Sequence, residues 1–103
     1  MKPVLIHSAA RAEFDDAMAF YERRASGLGR DLLAKVGEVV ARVQQRPEAW
    51  TPHKRSGFRK CFTKGFPFTV FYMELPDSIW IVAIAHGSRH PDYWRKRRFE
   101  SDG

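Results

Sequence analysis

Between Ile79 and Ala85 the chain reads Ile-Trp-Ile-Val-Ala-Ile-Ala, apolar at every position. Simple alternation points Ile79, Ile81, Ala83 and Ala85 one way and Trp80, Val82 and Ile84 the other. A strand without a polar face needs protein on both sides, so this stretch predicts the central strand of a covered sheet. The pattern then breaks. His86-Gly87-Ser88-Arg89-His90-Pro91-Asp92 is a polar turn, and Tyr93-Trp94-Arg95-Lys96-Arg97-Arg98 an aromatic, basic tail, with a short helix expected from Pro91 onward. A rigid strand that delivers His and Arg to its exposed end is a common way to position a functional group.

The N-terminal half carries a different period. Pro3 to His7 reads as a short strand, and Ser8 as the N-cap of a helix over 9–25. Phe14, Ala17, Met18, Tyr21 and Ala25 recur at helical spacing and form one apolar stripe. Gly27 and Gly29 end it and permit a tight reversal. A second helix follows over 30–46, with Leu32, Leu33, Val36, Val39, Val40 and Val43 on one side and Pro47 as its stop. Two striped helices so closely joined predict an antiparallel hairpin that needs a sheet to cover its apolar side. Leu32, Val36, Val40, Phe14 and Met18 are expected in the core. Residues 47–57 read as a loop, 58–63 and 66–73 as strands of a meander, and Leu75-Pro76-Asp77-Ser78 as the turn into the last strand. The expected fold is α+β in the order βααβββ, one domain over 1–103, with the hairpin on one face of a small, mostly antiparallel sheet.

Composition narrows the function classes. A chain of 103 residues with 44% apolar side chains supports one core. No run of about twenty apolar residues predicts a membrane span, and the first residues resemble a strand more than a secretory signal. The single cysteine, Cys61, excludes an internal disulfide and fits a reducing, cytoplasmic setting. Net charge is +6 and the pI near 9.9, which suits a polyanionic partner. The cations concentrate in two segments, Lys54 to Lys64 and Arg89 to Arg98.

Metal binding finds little support. His86 and His90 stand four apart, but Gly87 and Pro91 make their setting a turn, and no Cys or carboxylate cluster completes a shell. No cofactor or small-molecule substrate is expected. Two candidate groups remain. Arg59 and Arg89 are expected at neighbouring strand ends on one exposed face, where guanidinium groups could clamp a phosphodiester, with Lys54, Arg55 and Lys60 nearby. His86, with His90 and Tyr93, could move protons in RNA cleavage. The alternative for His86 is a structural His at a strand end, and for Tyr93 and Trp94 packing of the tail onto the sheet. Trp94, Arg95 and Arg97 complete the candidate binding residues.

Length, element order and motifs together resemble the RelE/ParE toxin superfamily of bacterial type II toxin–antitoxin modules. The resemblance runs from Val4 to Arg97 and rests on the Gly27-Leu28-Gly29 junction, an Arg opening the second strand, Phe66-Pro67-Phe68 followed by Val70-Phe71-Tyr72, and Ile81 to Pro91. It implies a cognate antitoxin that wraps the hairpin and sheet, a growth-inhibiting role and a place in plasmid stabilisation. Members of the RelE type cleave messenger RNA on the ribosome; members of the ParE type poison DNA gyrase. By the motifs, Arg59 matches the cleaving members' strand Arg, Arg89 their C-terminal Arg, and Tyr93 loosely their terminal Tyr. The His90-Pro91-Asp92 spacing and Trp94 depart from the ribonuclease pattern and resemble the ParE side. That implies a toxin acting on gyrase or another topoisomerase, with a ribosome-dependent ribonuclease or a non-toxic basic domain as the alternatives.

Overall fold

The all-apolar strand of the sequence pattern is an interior strand of the sheet, second from one edge, and the aromatic strand before it takes the central place. The computed structural model of the chain describes residues 1–99. Its elements are β1 (Val4–Ile6), α1 (Ser8–Arg24), α2 (Leu28–Gln45), a 3-10 turn (Pro47–Ala49), β2 (Thr51–His53), β3 (Phe58–Phe62), β4 (Phe68–Glu74) and β5 (Ile79–His86). The strand order is β1-β5-β4-β3-β2; β1 runs parallel to β5 and every other pair is antiparallel. The helical hairpin covers one face. Phe14, Leu32, Val36, Val39 and Val43 pack there on Cys61, Phe68, Val70, Tyr72, Ile79, Ile81 and Ile84. Met18 and Val40, expected in the core, are partly buried at its margin, whereas Leu33 on the same helix is half exposed at 50%.

The other face has a cover of its own. Trp94 is fully buried against Phe58, Phe71, Trp80 and Val82, and Phe99 lies edge-on to Trp80 at 5.7 Å. The segment after β5 therefore folds back over the sheet, making three layers of hairpin, sheet and tail. Every residue of β5 but His86 is buried, as an all-apolar strand requires. The tail is a run of overlapping four-residue turns, His90 to Tyr93, Asp92 to Arg95 and Trp94 to Arg97, instead of the short helix expected from Pro91.

Alternation along β5 fails at one point. Phe71 pairs with Ala83 but Tyr72 with Ile81, so Val82 is an extra residue, a β-bulge. Beyond it the faces exchange: Ile84 joins Ile79 and Ile81 under the helices, while Ala83 and Ala85 join Trp80 and Val82 under the tail. The carbonyl of Val82 accepts a hydrogen bond from Arg97 Nη1 at 3.0 Å. The bulge also sets the side from which His86 reaches the hairpin.

Three local differences have clear causes. Helix α1 is capped by His7, whose Nδ1 accepts from the Ala9 amide at 3.1 Å, and Ser8 is already helical. Gly27, with φ at 89°, offers α2 no side-chain cap, and Glu22 of α1 takes that role by accepting from the Gly27 and Gly29 amides at 2.8 and 3.0 Å. The stretch 47–57 holds a fifth strand, β2, paired with β3 through Thr51↔Lys60 and His53↔Phe58. Pro52 is tolerated because β2 is the sheet edge. Pro67 sits within a reversal in which the Phe68 amide donates to the Phe66 carbonyl, so β4 starts at Phe68, later than the expected 66.

Candidate functional site

The end of β5 and the middle and last turns of α1 border a cleft of about 550 Å³. Its apolar wall comes from Phe20, Tyr21, Phe68 and Ile84, and its polar rim from Glu13, Asp16, His86, Arg89 and Tyr93. Phe20 is 44% exposed beside it. Tyr21 stands edge-on to both Phe66 and Phe68, at 5.3 and 6.2 Å, which stiffens the floor.

Glu13, Arg89 and Tyr93 on the rim and Arg97 of the tail form one network about the Glu13 carboxylate. The carboxylate accepts two hydrogen bonds from Arg97 Nη2 at 2.8 Å each, and one from the Tyr93 hydroxyl at 3.4 Å. Arg89 stands 3.7 Å from the same carboxylate and 3.9 Å over the Tyr93 ring. Burial, and secondarily Glu13, holds the Tyr93 phenol above its ordinary 10.0, which makes it a weaker acid. The network closes the edge of β5 beyond the end of β1.

Of the candidate catalytic residues, His86, Arg89 and Tyr93 line this cleft together. Arg59 does not. It faces the hairpin side of β3 opposite Tyr72, which is itself opposite Ile81, and its Nη1 donates to the Trp50 carbonyl at 2.6 Å. From Ile81 to His86 is five residues, about 16 Å along the strand, with two strand spacings of about 4.8 Å across. The expectation of Arg59 and Arg89 at neighbouring strand ends is thus corrected. Meander geometry sends the two arginines to opposite reaches of the sheet. His86 Nδ1 accepts from the Ser88 amide at 3.0 Å and sits 2.8 Å from Ser88 Oγ, which orders the turn.

The candidate binding residues divide in the same way. Trp94 has no exposed surface and Arg97 is tied to Glu13 and to the Val82 carbonyl, so both belong to the tail's anchorage and offer no surface to a ligand. Lys54, in a left-handed conformation at φ 56°, pairs with Asp92 at 2.8 Å. Arg55 and Arg95 are exposed, and Lys60 stands 5.9 Å from the Phe62 ring. His53 was not among the candidate site residues: it is buried, its Nε2 stands 3.2 Å from Asp92 Oδ1, and its ring packs on Phe71 and Trp94. Hydrogen bonds from Lys54 and then His53 lower the Asp92 pKa below 3.8. The signal that could have found it was Ser56-Gly57 ahead of Phe58, a hairpin turn after a short edge strand. Among the described residues no three His, Cys, Asp or Glu side chains group as a metal shell would require, and no helix is long and apolar enough to cross a membrane.

Comparison with known proteins gives this geometry a family. No curated protein matches the chain. A solved structure described as the chromosomal ParDE TA system from P. aeruginosa has the same fold, with a TM-score of 0.71 at 21% identity over 84% of this chain and 96% of that one. The family model described as "ParE toxin of type II toxin-antitoxin system, parDE" matches residues 4–91. The chain therefore belongs to the ParE toxin family of type II toxin–antitoxin systems.

Proposed function

We propose that this chain is a growth-inhibiting toxin that acts by binding DNA gyrase or another topoisomerase, and that a cognate antitoxin neutralises it in the cytoplasm. The observation that carries the binding reading is the separation and engagement of the cations. RNA cleavage needs a donor and a proton-transfer group held within hydrogen-bond reach of one phosphate. Arg59 is spent on the Trp50 carbonyl, far along the sheet from His86, and Arg89 is committed to Tyr93 and Glu13. What remains at the end of β5 is a rigid cleft with an apolar wall and a charged rim, the form of a docking site. An antitoxin segment of apolar residues flanked by acids would complement it and the basic surface around it, with affinity that falls as salt rises.

The test is expression of wild type, Arg59→Ala, Arg89→Ala and a chain ending at Asp92 without antitoxin, with growth and message integrity scored together. The binding reading predicts arrested growth with intact message in the wild type. Arg59→Ala should stay toxic, and the truncated chain should lose toxicity with Trp94 and Arg97. Message cut near the ribosome, and spared by Arg59→Ala or Arg89→Ala, would establish the ribonuclease alternative.

A further inference from the structure

Charge is unevenly divided between the layers. Residues 1–46 carry eight Lys and Arg against six Asp and Glu, whereas residues 47–99 carry ten against four. The excess lies with the sheet and tail, not with the hairpin. On that side the tail covers only part of the sheet. Trp94 sits over Phe58 and Phe71, while the row nearer the end of β5, Phe62↔Thr69↔Ala85, lies beyond it.

Register fixes what this row presents. Lys60 is opposite Phe71 and Phe62 opposite Thr69, so both project from the tail side of β3. Phe62 is 59% exposed, the most exposed aromatic of the described residues, with Lys60 beside its ring. Next to it across the sheet is a hollow of about 160 Å³, whose lining includes Thr69, Phe71, Ala85, His86, His90 and Pro91. Lys64 lies exposed in the turn that follows Phe62. A bare aromatic ring, a small flat hollow beside it and cations on both flanks stand on one continuous surface.

We infer that this face binds single-stranded nucleic acid, with one base stacked on Phe62, a neighbouring base in the hollow over Ala85, and the intervening phosphates held by Lys60 and Lys64. Stacking platforms bordered by cations take single strands irrespective of sequence, because every base has a π-face. The hollow offers the Thr69 hydroxyl and the His90 ring as hydrogen-bonding groups at a base edge. An acidic peptide is the less complete match. The sheet face presents side chains where a peptide strand would need main-chain partners, and Phe62 would be left without a flat group to cover it. The hollow shares His86 and Arg89 with the rim of the cleft against α1 but opens on the tail side of the sheet, and the inference does not depend on the gyrase reading.

Fluorescence anisotropy of the purified full chain with labelled twelve-residue oligo-dT and oligo-U tests this. Saturable binding of either strand is expected, and the preferred one identifies the natural source. Phe62→Ala should weaken binding about 5- to 100-fold, with an unchanged melting temperature because the ring is exposed. Lys60→Gln with Lys64→Gln should flatten the log–log salt dependence by about 1.4, at about 0.7 per phosphate contact. Leu33→Ser, on the outside of α2, should bind as wild type does. Three results would each overturn the inference: no saturable binding; affinity within twofold of wild type for Phe62→Ala; or displacement of the oligonucleotide by poly-glutamate as effective as that by unlabelled oligo-dT. The last would assign the face to an acidic protein segment.

Discussion

Removing the Trp94 side chain tests the three-layer architecture more sharply than any other single change. The ring is fully buried, 4.5 Å from Phe71, 5.0 Å from Phe58 and 5.3 Å from His53 between centroids. Truncation of a buried Trp to Ala ordinarily costs about 3–5 kcal/mol, and the aromatic pairs place this site in the upper part of that range. One correction applies. The indole Nε1–H is buried without a partner among the described residues, and such an orphan costs about 1–3 kcal/mol on its own. Trp94→Phe keeps most of the ring contact and removes the orphan, so it should cost less than about 1.5 kcal/mol while Trp94→Ala costs about 3 or more. For a domain near this size the Ala variant should melt more than about 10 °C below wild type. Thermal unfolding followed by circular dichroism and near-ultraviolet signal measures both. If Trp94→Ala melts within about 3 °C of wild type, the tail is not a structural layer and the binding surface beside it has been misdrawn.

Other perturbations follow from individual contacts. Arg97→Ala should cost about 2 kcal/mol or more by denaturant midpoint, because it strips a partly buried Glu13 of two charge-assisted bonds and leaves the Val82 carbonyl unpaired; Asp15→Ala, which breaks only the exposed pair with Arg11, should stay within about 0.5 kcal/mol. Gly29→Ala should destabilise by at least about 1 kcal/mol although Ala is the better helix former, since its Cβ would meet the Met18 carbonyl oxygen at 2.5 Å. Amide hydrogen bonds from Gly27 and then Gly29 hold the Glu22 pKa below its ordinary 4.5. Its contribution to stability is therefore complete above about pH 4.5 and lost as pH falls through the lower folded value. Glu22→Gln should flatten the acid limb of a stability–pH profile, and an unchanged limb would deny Glu22 its capping role.

The order of elements was legible because helical and strand periods in this chain are well separated, and because β5 has no polar face at all. What escaped were the places where one residue alters a period. The bulge at Val82 exchanges the faces of Ile84 and Ala85, and nothing in a uniformly apolar run marks where that happens. Strand β2 is three residues long and contains Pro52, so it carries no periodic signal; only its register with β3 reveals it. The cleft residues His86, Arg89 and Tyr93 were legible because they follow a strand end directly. Arg59 was misplaced because the register of β3 on β4, which sets it opposite Tyr72 and far from the end of β5, is not marked in the sequence. Trp94 and Arg97 read equally well as surface or anchor; their contacts with His53, Phe58 and Glu13 join residues more than thirty apart in the chain.

The central claim is that the end of β5 docks a macromolecule and cuts nothing. It is tested most directly by adding the purified chain, in parallel, to a gyrase supercoiling reaction and to a translating extract programmed with a defined message. The account predicts dose-dependent loss of supercoiling with full-length message recovered from the extract. Message cleaved in the extract while gyrase works undisturbed would contradict it.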